Sequence, residues 1–275
     1  MDGTDRPGRA DTPGARMAAM YDASAPAYER YWAPALLRHS RDLLSSLPST
    51  PQPRRVLEVA TGTGALLPDL VTVAGAGGTV VAVDRSLGML RRAGAGVPRV
   101  QADAAALPVR SRTVDVAVAA FVLFLVPDAR AAVLELHRVL RPGGRMLAAT
   151  WGEQRATHAD VLLRDVLDRA GAPLPAPDPR SDDGTASPEA MRDLLLGAGL
   201  TDVRTEARPL DARFGPEDMI AMRTTCGTTG WRFAQLDEAA QRSVRSQLAD
   251  RYAGLGPEAF TDTSEVLLTA ARRAD

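Results

Sequence analysis

A glycine turn and an acidic residue mark two neighbouring apolar segments of the chain. Residues 57–67, LEVATGTGALL, read as a buried strand, a turn built on Gly62 and Gly64, and the start of a helix. Such a turn lets backbone N–H groups approach a ligand, and the helix N-terminus favours a phosphate or a carboxylate. Asp84 ends the next apolar segment, where a carboxylate can accept hydrogen bonds from ribose hydroxyls. Together they predict a site for an adenosine-type ligand.

The turn alone is compatible with two ligand classes, dinucleotides and nucleosides that carry an amino acid. The dinucleotide fingerprint has a third small residue, which allows the helix to pack closely on the strand. Leu67 stands at that position here, which counts against NAD. Ala60 stands where glycine is commoner, and we expect it to adopt a negative φ and narrow the site only slightly.

Further motifs in the same order resemble those of class I S-adenosylmethionine (SAM)-dependent methyltransferases. VLEVATGTGALL and VVAVDRSLGML are similar to the first and second motifs, and VQADAAALP is similar to the third-strand motif. VDVAVAAFVLFLVPD and RVLRPGGRMLAATW resemble the fourth- and fifth-strand motifs. YDASAPAYERYW resembles the N-terminal lid helix of the ubiquinone/menaquinone-biosynthesis methyltransferase-like branch. The resemblance covers residues 17–151.

The resemblance implies SAM as the cofactor and a role for particular residues. Glu58 would anchor the turn and the methionine amino group, or the turn alone; Asp84 would hold the ribose, or merely cap the next helix. Asp103 would accept from the adenine N6 amino group, or lie in an exposed turn. The full set implied to bind the cofactor is Glu58, Ala60, Thr61, Gly62, Gly64, Asp84, Arg85, Met89, Asp103, Ala104, Ala120 and Phe121.

Strand patterns alternate with helical patterns from residue 55 to residue 151, which is typical of a parallel sheet covered on both faces. With the resemblance, they predict an α/β, Rossmann-like, seven-stranded and mostly parallel sheet whose last strand is antiparallel. We expect a disordered tail over residues 1–16 and lid helices over 17–50, broken near Pro34. The SAM-binding domain would occupy 51–275, with a helical cap inserted between the last two strands at about 212–255.

The composition of the chain restricts the classes of partner that we expect it to bind. The formal net charge is −1, so no nucleic-acid partner is expected. Cys226 is the single cysteine, and the three histidines lack ligand spacing, so no metal is expected. The first residues do not resemble a signal peptide, and the longest apolar run, residues 116–127, is too short to span a bilayer. We expect a cytoplasmic monomer or homodimer without a membrane partner.

Methyl transfer from SAM is an in-line displacement, so much of the catalysis is positioning, and a base is needed only if the acceptor must lose a proton. Relatives often carry histidines just after the fourth strand, where this chain has Phe124 and Leu125. The catalytic residue therefore stays unknown, with His39 the only histidine considered as a base. An apolar acceptor is expected, in a pocket lined by Tyr21, Tyr28, Trp32, Phe124, Trp151 and part of residues 219–231.

The sequence thus predicts a SAM-dependent methyltransferase that acts on carbon or oxygen of an apolar small molecule. The chain has no Lys or Asn and a single Ile, which indicates a GC-rich bacterial gene. The resemblance and the apolar pocket further imply a place in natural-product or quinone-type biosynthesis. An enzyme that keeps the SAM fold without transferring the methyl group, such as a cyclase, remains an alternative. A binding protein with a decayed site is disfavoured by the intact glycine turn, Asp84 and Asp103.

Overall fold

The computed structural model describes residues 12–50, 52–94, 96–175 and 184–275. Its central element is a sheet of seven strands with two further short strands beside it. The strands are β1 Arg55–Val59, β2 Thr79–Asp84, β3 Arg99–Gln101, β4 Val114–Ala120, β5 Leu140–Trp151, β6 Leu200–Pro209, β7 Ala212–Arg213, β8 Thr261–Asp262 and β9 Glu265–Arg273. The sheet order is β3-β2-β1-β4-β5-β9-β6, and β7 pairs with β8 separately.

The direction of the strands agrees with the predicted fold. β1, β2, β3, β4 and β5 pair in parallel, and β9 runs antiparallel to both β5 and β6. The seven-stranded, mostly parallel sheet with an antiparallel last strand is therefore confirmed. The buried strands are rich in Val, Leu and Ala because both faces of the sheet are covered by apolar clusters.

Ten α-helices are described around these strands. They are α1 Pro13–Ala27, α2 Ala33–Leu44, α3 Leu67–Ala74, α4 Leu87–Arg92, α5 Ala129–Val139, α6 His158–Arg169, α7 Pro188–Gly197, α8 Pro216–Arg223, α9 Gly227–Ala234 and α10 Glu238–Tyr252. A 3₁₀ turn follows at Pro257–Phe260. β1 lies between β2 and β4, so the strand order reverses there, and the carboxyl ends of these strands form the crevice where such folds bind ligands.

The N-terminal lid begins earlier than predicted, and a π-helical turn divides it. The tail was expected to reach residue 16, but α1 begins at Pro13 because the Thr12 side chain caps it and proline suits the first helical position. Residues 1–11 of the predicted tail lie outside the described residues. The break predicted near Ala33-Pro34 lies where α2 begins: a π-helical turn, Tyr28–Trp32, joins α1 to α2, and Pro34 is tolerated in the first turn of α2.

The chain between β6 and β9 forms a helical cap with its own apolar core. α8, α9 and α10 pack with α6 around buried Leu163, Met222, Phe233 and Leu248. The β7–β8 pair closes the base of this insertion. α6, which follows β5 along the chain, packs with these helices, and the cap contacts the lid where α8 meets the π-helical turn and α9 meets α1.

A buried arginine links α9 to the end of α6, and we predict that its loss destabilises the cap. Arg232 donates from Nη2 to Asp168 at 2.6 Å and to the Ala172 carbonyl at 2.8 Å. Arg232→Ala leaves a buried carbonyl without its donor, so we expect a loss of about 2–4 kcal/mol in the free energy of unfolding. Urea unfolding of the full chain measures it. Arg242→Ala, at an exposed position on α10, is the control; equal effects of both changes would contradict the prediction.

Candidate functional site

The turn after β1 is fixed by hydrogen bonds to β1 and β2. Thr61 donates from its N–H to the Val83 carbonyl at 3.0 Å, and its hydroxyl donates to Glu58 at 2.5 Å. Gly62 and Gly64 have φ of +57° and +78°, in the region that glycine adopts without strain. A Cβ at Gly64 would lie 2.8 Å from Leu67 and 3.0 Å from Ala93, so the turn and α4 also need a small residue there.

Asp84, at the carboxyl end of β2, holds two loops at once. One carboxylate oxygen accepts from the Gly62 N–H at 2.8 Å, and the other accepts from the Ser86 N–H at 2.8 Å. Burial raises the pKa of Asp84, while these N–H donors lower it. The carboxylate therefore lies where β1 and β2 end, beside the crevice.

Two non-glycine residues at strand ends have a left-handed backbone. Ala60 after β1 and Phe121 after β4 both have φ of +57°. The expectation of a negative φ at Ala60 is wrong, because the turn needs the left-handed conformation from its first residue. A left-handed backbone conformation costs a non-glycine residue about 1–2 kcal/mol of conformational free energy. Such strained residues concentrate at functional sites. The two strained residues lie on either side of the same crevice.

The crevice holds a cavity of about 110 Å³. Most of the residues expected to bind the cofactor line it. They are Ala60, Gly62, Asp84, Arg85, Met89, Asp103, Ala104, Ala120 and Phe121. Glu58 and Thr61 instead line a smaller cavity of about 40 Å³ behind Ala60, and Gly64 lines neither cavity and shapes the turn.

α1 covers the crevice with residues that the sequence analysis missed. Gly14, Met17 and Ala18 line the cavity together with Tyr21, at a spacing that places them on one helical face. A Cβ at Gly14 would collide with the guanidinium of Arg85. Arg85 in turn forms an ion pair with Asp103, with Nη1 3.3 Å from Oδ2. The helical spacing from Tyr21 is a usable signal for Met17 and Ala18, which lie within the predicted lid, whereas Gly14 lies within the predicted tail.

The lid is held against the start of α4 by an acidic side chain. Asp22 accepts from the Ser86 hydroxyl at 2.5 Å and from the Gly88 N–H at 2.7 Å. A Cβ at Gly88 would lie 2.8 Å from Asp22, so α1 and α4 meet at a close approach. Glu29 and Arg92 add an ion pair, with Nε 2.9 Å from Oε2.

Glu58 is a buried carboxyl whose pKa is displaced. It is 3% exposed, and burial raises its pKa to about 7, against the opposing effect of the Thr61 hydroxyl. Nearby Asp84 acts in the same direction as burial. At neutral pH the Glu58 carboxyl is therefore only partly ionised, and a cation that reached it would favour the ionised form.

A second, larger cavity of about 530 Å³ adjoins the first. All five aromatic residues expected in the acceptor pocket line it: Tyr21, Tyr28, Trp32, Phe124 and Trp151. The expected contribution from residues 219–231 comes from the end of α8 and the start of α9. These residues are Arg223, Cys226, Gly227, Thr228, Thr229 and Trp231.

The two cavities share a wall to which the lid and the end of β4 both contribute. Met17, Tyr21, Tyr28, Phe121 and Leu125 line both of them. Burial raises the pKa of the Tyr28 phenol, so this hydroxyl stays protonated and can act as a hydrogen-bond donor. The π-helical turn carries Tyr28 at its start, and such turns are frequent at functional sites.

Aromatic rings form the floor of the larger cavity. The Trp151 ring lies 5.3 Å from Phe121, 6.4 Å from Phe124 and 6.2 Å from Trp32, measured between centroids. The tilted and edge-on arrangements are those that aromatic pairs prefer. The resulting surface is apolar and suits a flat, apolar ligand.

His39 is not placed to act as a base in either cavity. It is buried within α2, with Nε2 3.3 Å from the Leu210 carbonyl, and burial lowers its pKa. It does not line any of the three cavities described here. The structure therefore contradicts its candidacy. Within residues 12–50, 52–94, 96–175 and 184–275, no group of three or more His, Cys, Asp or Glu side chains could hold a metal ion.

Comparison with known proteins agrees with this geometry. A family model described as "Methyltransferase domain" matches residues 57–148. A demethylmenaquinone methyltransferase of Renibacterium salmoninarum is 33% identical, over 54% of this chain and 66% of the relative. One of Mycolicibacterium paratuberculosis is 30% identical, over 68% of this chain and 86% of the relative. The chain belongs to the class I SAM-dependent methyltransferases.

The relatives place this methyltransferase in the quinone-biosynthesis-like branch, and its cofactor is SAM. The solved structure of the cyclase SpnF matches it with a TM-score of 0.61 at 17% identity, over 96% of this chain and 98% of that one. At that identity the match shows a shared fold. Among the described residues of the methyltransferase, no helix has the length and apolarity needed to cross a membrane.

Replacing Ala60 by glycine relieves the left-handed strain at the end of β1. We expect Ala60→Gly to raise the free energy of unfolding by about 1 kcal/mol, since glycine adopts a φ of +57° without the Cβ conflict. Urea unfolding measures it. Ala65→Gly, in the same turn, should instead be neutral or destabilising. A loss of stability in Ala60→Gly would show that contacts of the Ala60 methyl group outweigh its strain.

The raised pKa of Glu58 predicts a pH-dependent stability. Between its usual pKa and about 7 the unfolded carboxyl ionises while the folded one stays protonated, so folding loses stability as pH rises. The loss reaches on the order of 3 kcal/mol near pH 7 and then levels off. Glu58→Gln removes this pH-dependent contribution. The free energy of unfolding of the variant, measured with urea, should therefore rise relative to that of the wild type between pH 5 and pH 8. Parallel pH profiles would contradict the assignment.

Proposed function

We propose that this methyltransferase transfers the methyl group of SAM to a carbon or oxygen atom of an apolar small molecule. The observation that carries the proposal is the wall shared by two cavities: a ligand in each would meet at Tyr28 and Phe121. The relatives named demethylmenaquinone methyltransferase support an acceptor of the quinone type. A place in bacterial natural-product or quinone-type biosynthesis follows from this proposal.

SAM would bind in the cavity beneath α1. Asp84 would accept from the ribose hydroxyls, and Arg85 and Met89 would flank the adenine. Asp103 would accept from the adenine amino group, and the N–H of Ala104 would donate to the ring. These assignments are supported by the lining of the cavity and by the place of Asp84 at the end of β2.

The methionine end of SAM would lie towards β1 and β4. The backbone of Ala60, Gly62 and Ala120 would surround it, and Glu58 would receive the ammonium group in the smaller cavity behind Ala60. A cation there would restore the ionised form of a carboxyl whose pKa burial has raised. The sulfonium would then lie close to the shared wall and to the acceptor.

The acceptor supplies the electron pair that forms the new bond to the methyl carbon. The bond from that carbon to sulfur breaks, and its electrons remain on sulfur, which becomes a neutral thioether. None of the described residues lining the larger cavity is a carboxylate or an imidazole. The acceptor would therefore lose its proton to water, and the protein would contribute orientation and an apolar surface.

The proposal is tested with SAM labelled at the methyl group and a panel of demethylated naphthoquinols and phenols. We expect label in the product of at least one acceptor. Asp84→Asn should weaken SAM binding in calorimetry roughly tenfold or more, since an amide cannot replace the anion towards two ribose hydroxyls. Asp250→Asn, at an exposed position on α10, is the matched control and should bind SAM like the wild type.

Other outcomes separate the alternatives. Absence of SAM binding in the wild type would overturn the proposal. A converted substrate without label would mean that the methyl group is not used, as in a cyclase that keeps the fold.

A further inference from the structure

We propose that Arg223 recognises an acidic oxygen group on the acceptor, namely an ionised carboxyl, phenol or enol. The inference rests on the proposed function of the larger cavity and narrows its substrate class. Arg223 ends α8 and lines that cavity, whose wall is otherwise mostly aromatic and aliphatic. A cation beside an apolar cavity is costly unless it has partners, and a ligand anion would add to the partners that the protein supplies.

One edge of the Arg223 guanidinium faces the carboxylate of Asp160. Nη2 donates to Asp160 Oδ2 at 3.1 Å, and Nε lies 2.8 Å from Oδ1, where it forms an ion pair but no hydrogen bond. Asp262 is more distant, with Oδ2 3.9 Å from Nη2. This arrangement leaves Nη1, which has no partner among the described residues, as the donor group free for a ligand.

The two carboxylates beside Arg223 lie outside the cavity wall. Asp160 also accepts from the Thr157 N–H at 3.2 Å, within the cap of α6, and Asp262 accepts from the Ser264 N–H at 2.9 Å. Their charge is thus shared with backbone donors, whereas Arg223 itself lines the cavity. A ligand in the cavity meets the guanidinium of Arg223 and no carboxylate among the described lining residues.

The position of Arg223 matches a ring-bearing acceptor. Its guanidinium lies 5.2 Å from the centroid of the Trp32 ring, and Trp32 belongs to the aromatic floor. Tyr28, at the wall shared with the cofactor cavity, lies one turn before Trp32. An aromatic ring packed on this floor can therefore present one side to the cofactor cavity and an oxygen to Arg223.

The first turn of α9 lines the same part of the cavity. Its N-cap residue, Cys226, makes no side-chain hydrogen bond to the helix, and Gly227, Thr228 and Thr229 lie in the cavity wall. The N-terminus of α9 adds a weakly positive electrostatic field on the side of the cavity where Arg223 lies. Together they disfavour a protonated amine as the acceptor and favour a ligand with an anionic oxygen.

The test uses probes of one ring size with the protein saturated by S-adenosylhomocysteine, which prevents turnover. The probes are 2-naphthoate, its neutral isostere 2-naphthamide, cationic 2-naphthylmethylamine, and a nitronaphthol that is ionised at neutral pH. We expect naphthoate, the nitronaphtholate or both to bind roughly tenfold or more tightly than the amide, and the amine to bind most weakly. A preference for only one anion identifies whether the acidic group is a carboxyl or a phenol.

Two substitutions separate recognition from a structural role. Arg223→Gln should abolish the anion preference and leave S-adenosylhomocysteine affinity near wild type, although it also lowers thermal stability because Asp160 and Asp262 lose their cation. The exposed control Arg242→Gln should keep the anion preference, the S-adenosylhomocysteine affinity and the stability of the wild type. Asp160→Asn removes the counter-charge and should increase the anion preference. If Arg223 only braces the cap, both variants should weaken all probes alike.

The results that would overturn the role of Arg223 differ from those that would overturn the proposed function. Equal binding of naphthoate, nitronaphtholate and naphthamide by the wild type would overturn the role of Arg223, as would an anion preference that survives Arg223→Gln. Failure of S-adenosylhomocysteine to bind would instead count against the proposed methyl transfer.

Discussion

The carboxylate of Asp84 holds together the parts of the molecule that surround the cofactor crevice. One oxygen is bound to the turn after β1 and the other to the turn before α4, so two loops from different strands share one anion. The start of α4 in turn holds α1 through Asp22. The position of the lid therefore depends on a chain of hydrogen bonds that begins at the end of β2. Burial disfavours this charge, and the N–H donors that offset the penalty are the same ones that shape the site.

Much of the sheet and of the cofactor crevice could be predicted from the sequence, because local pattern and chemistry agree there. Continuous apolar strands end in Asp84 or in a glycine turn next to Glu58, and parallel strands bring their carboxyl ends to one edge. The conformation of Ala60 could not be predicted, since alanine ordinarily avoids a positive φ and only the hydrogen bonds of the turn impose it. The position of His39 could not be predicted either, because its contact with the Leu210 carbonyl joins segments 171 residues apart in the chain.

The larger cavity was less accessible to sequence reasoning because it is assembled from distant elements. Trp32 comes from the lid, Trp151 from β5 and Arg223 from the cap. α9, with the sequence GTTGWRFA, has two glycines and two β-branched residues, so its helical propensity is low. It is helical because Phe233 and Arg232 are buried against the rest of the cap. Tertiary packing, which one chain's sequence does not display, decides the structure of that segment.

The placement of α1 has a consequence for the order of events in a catalytic cycle. The same helical face walls both cavities through Met17 and Tyr21, so a molecule in either cavity adds contacts to α1. If the cofactor and the acceptor bind as proposed, each would stabilise the position of α1 that the other also contacts, and linkage would make this effect reciprocal. The two ligands would then be thermodynamically coupled through one helix, and release of either product would loosen a contact that both products share.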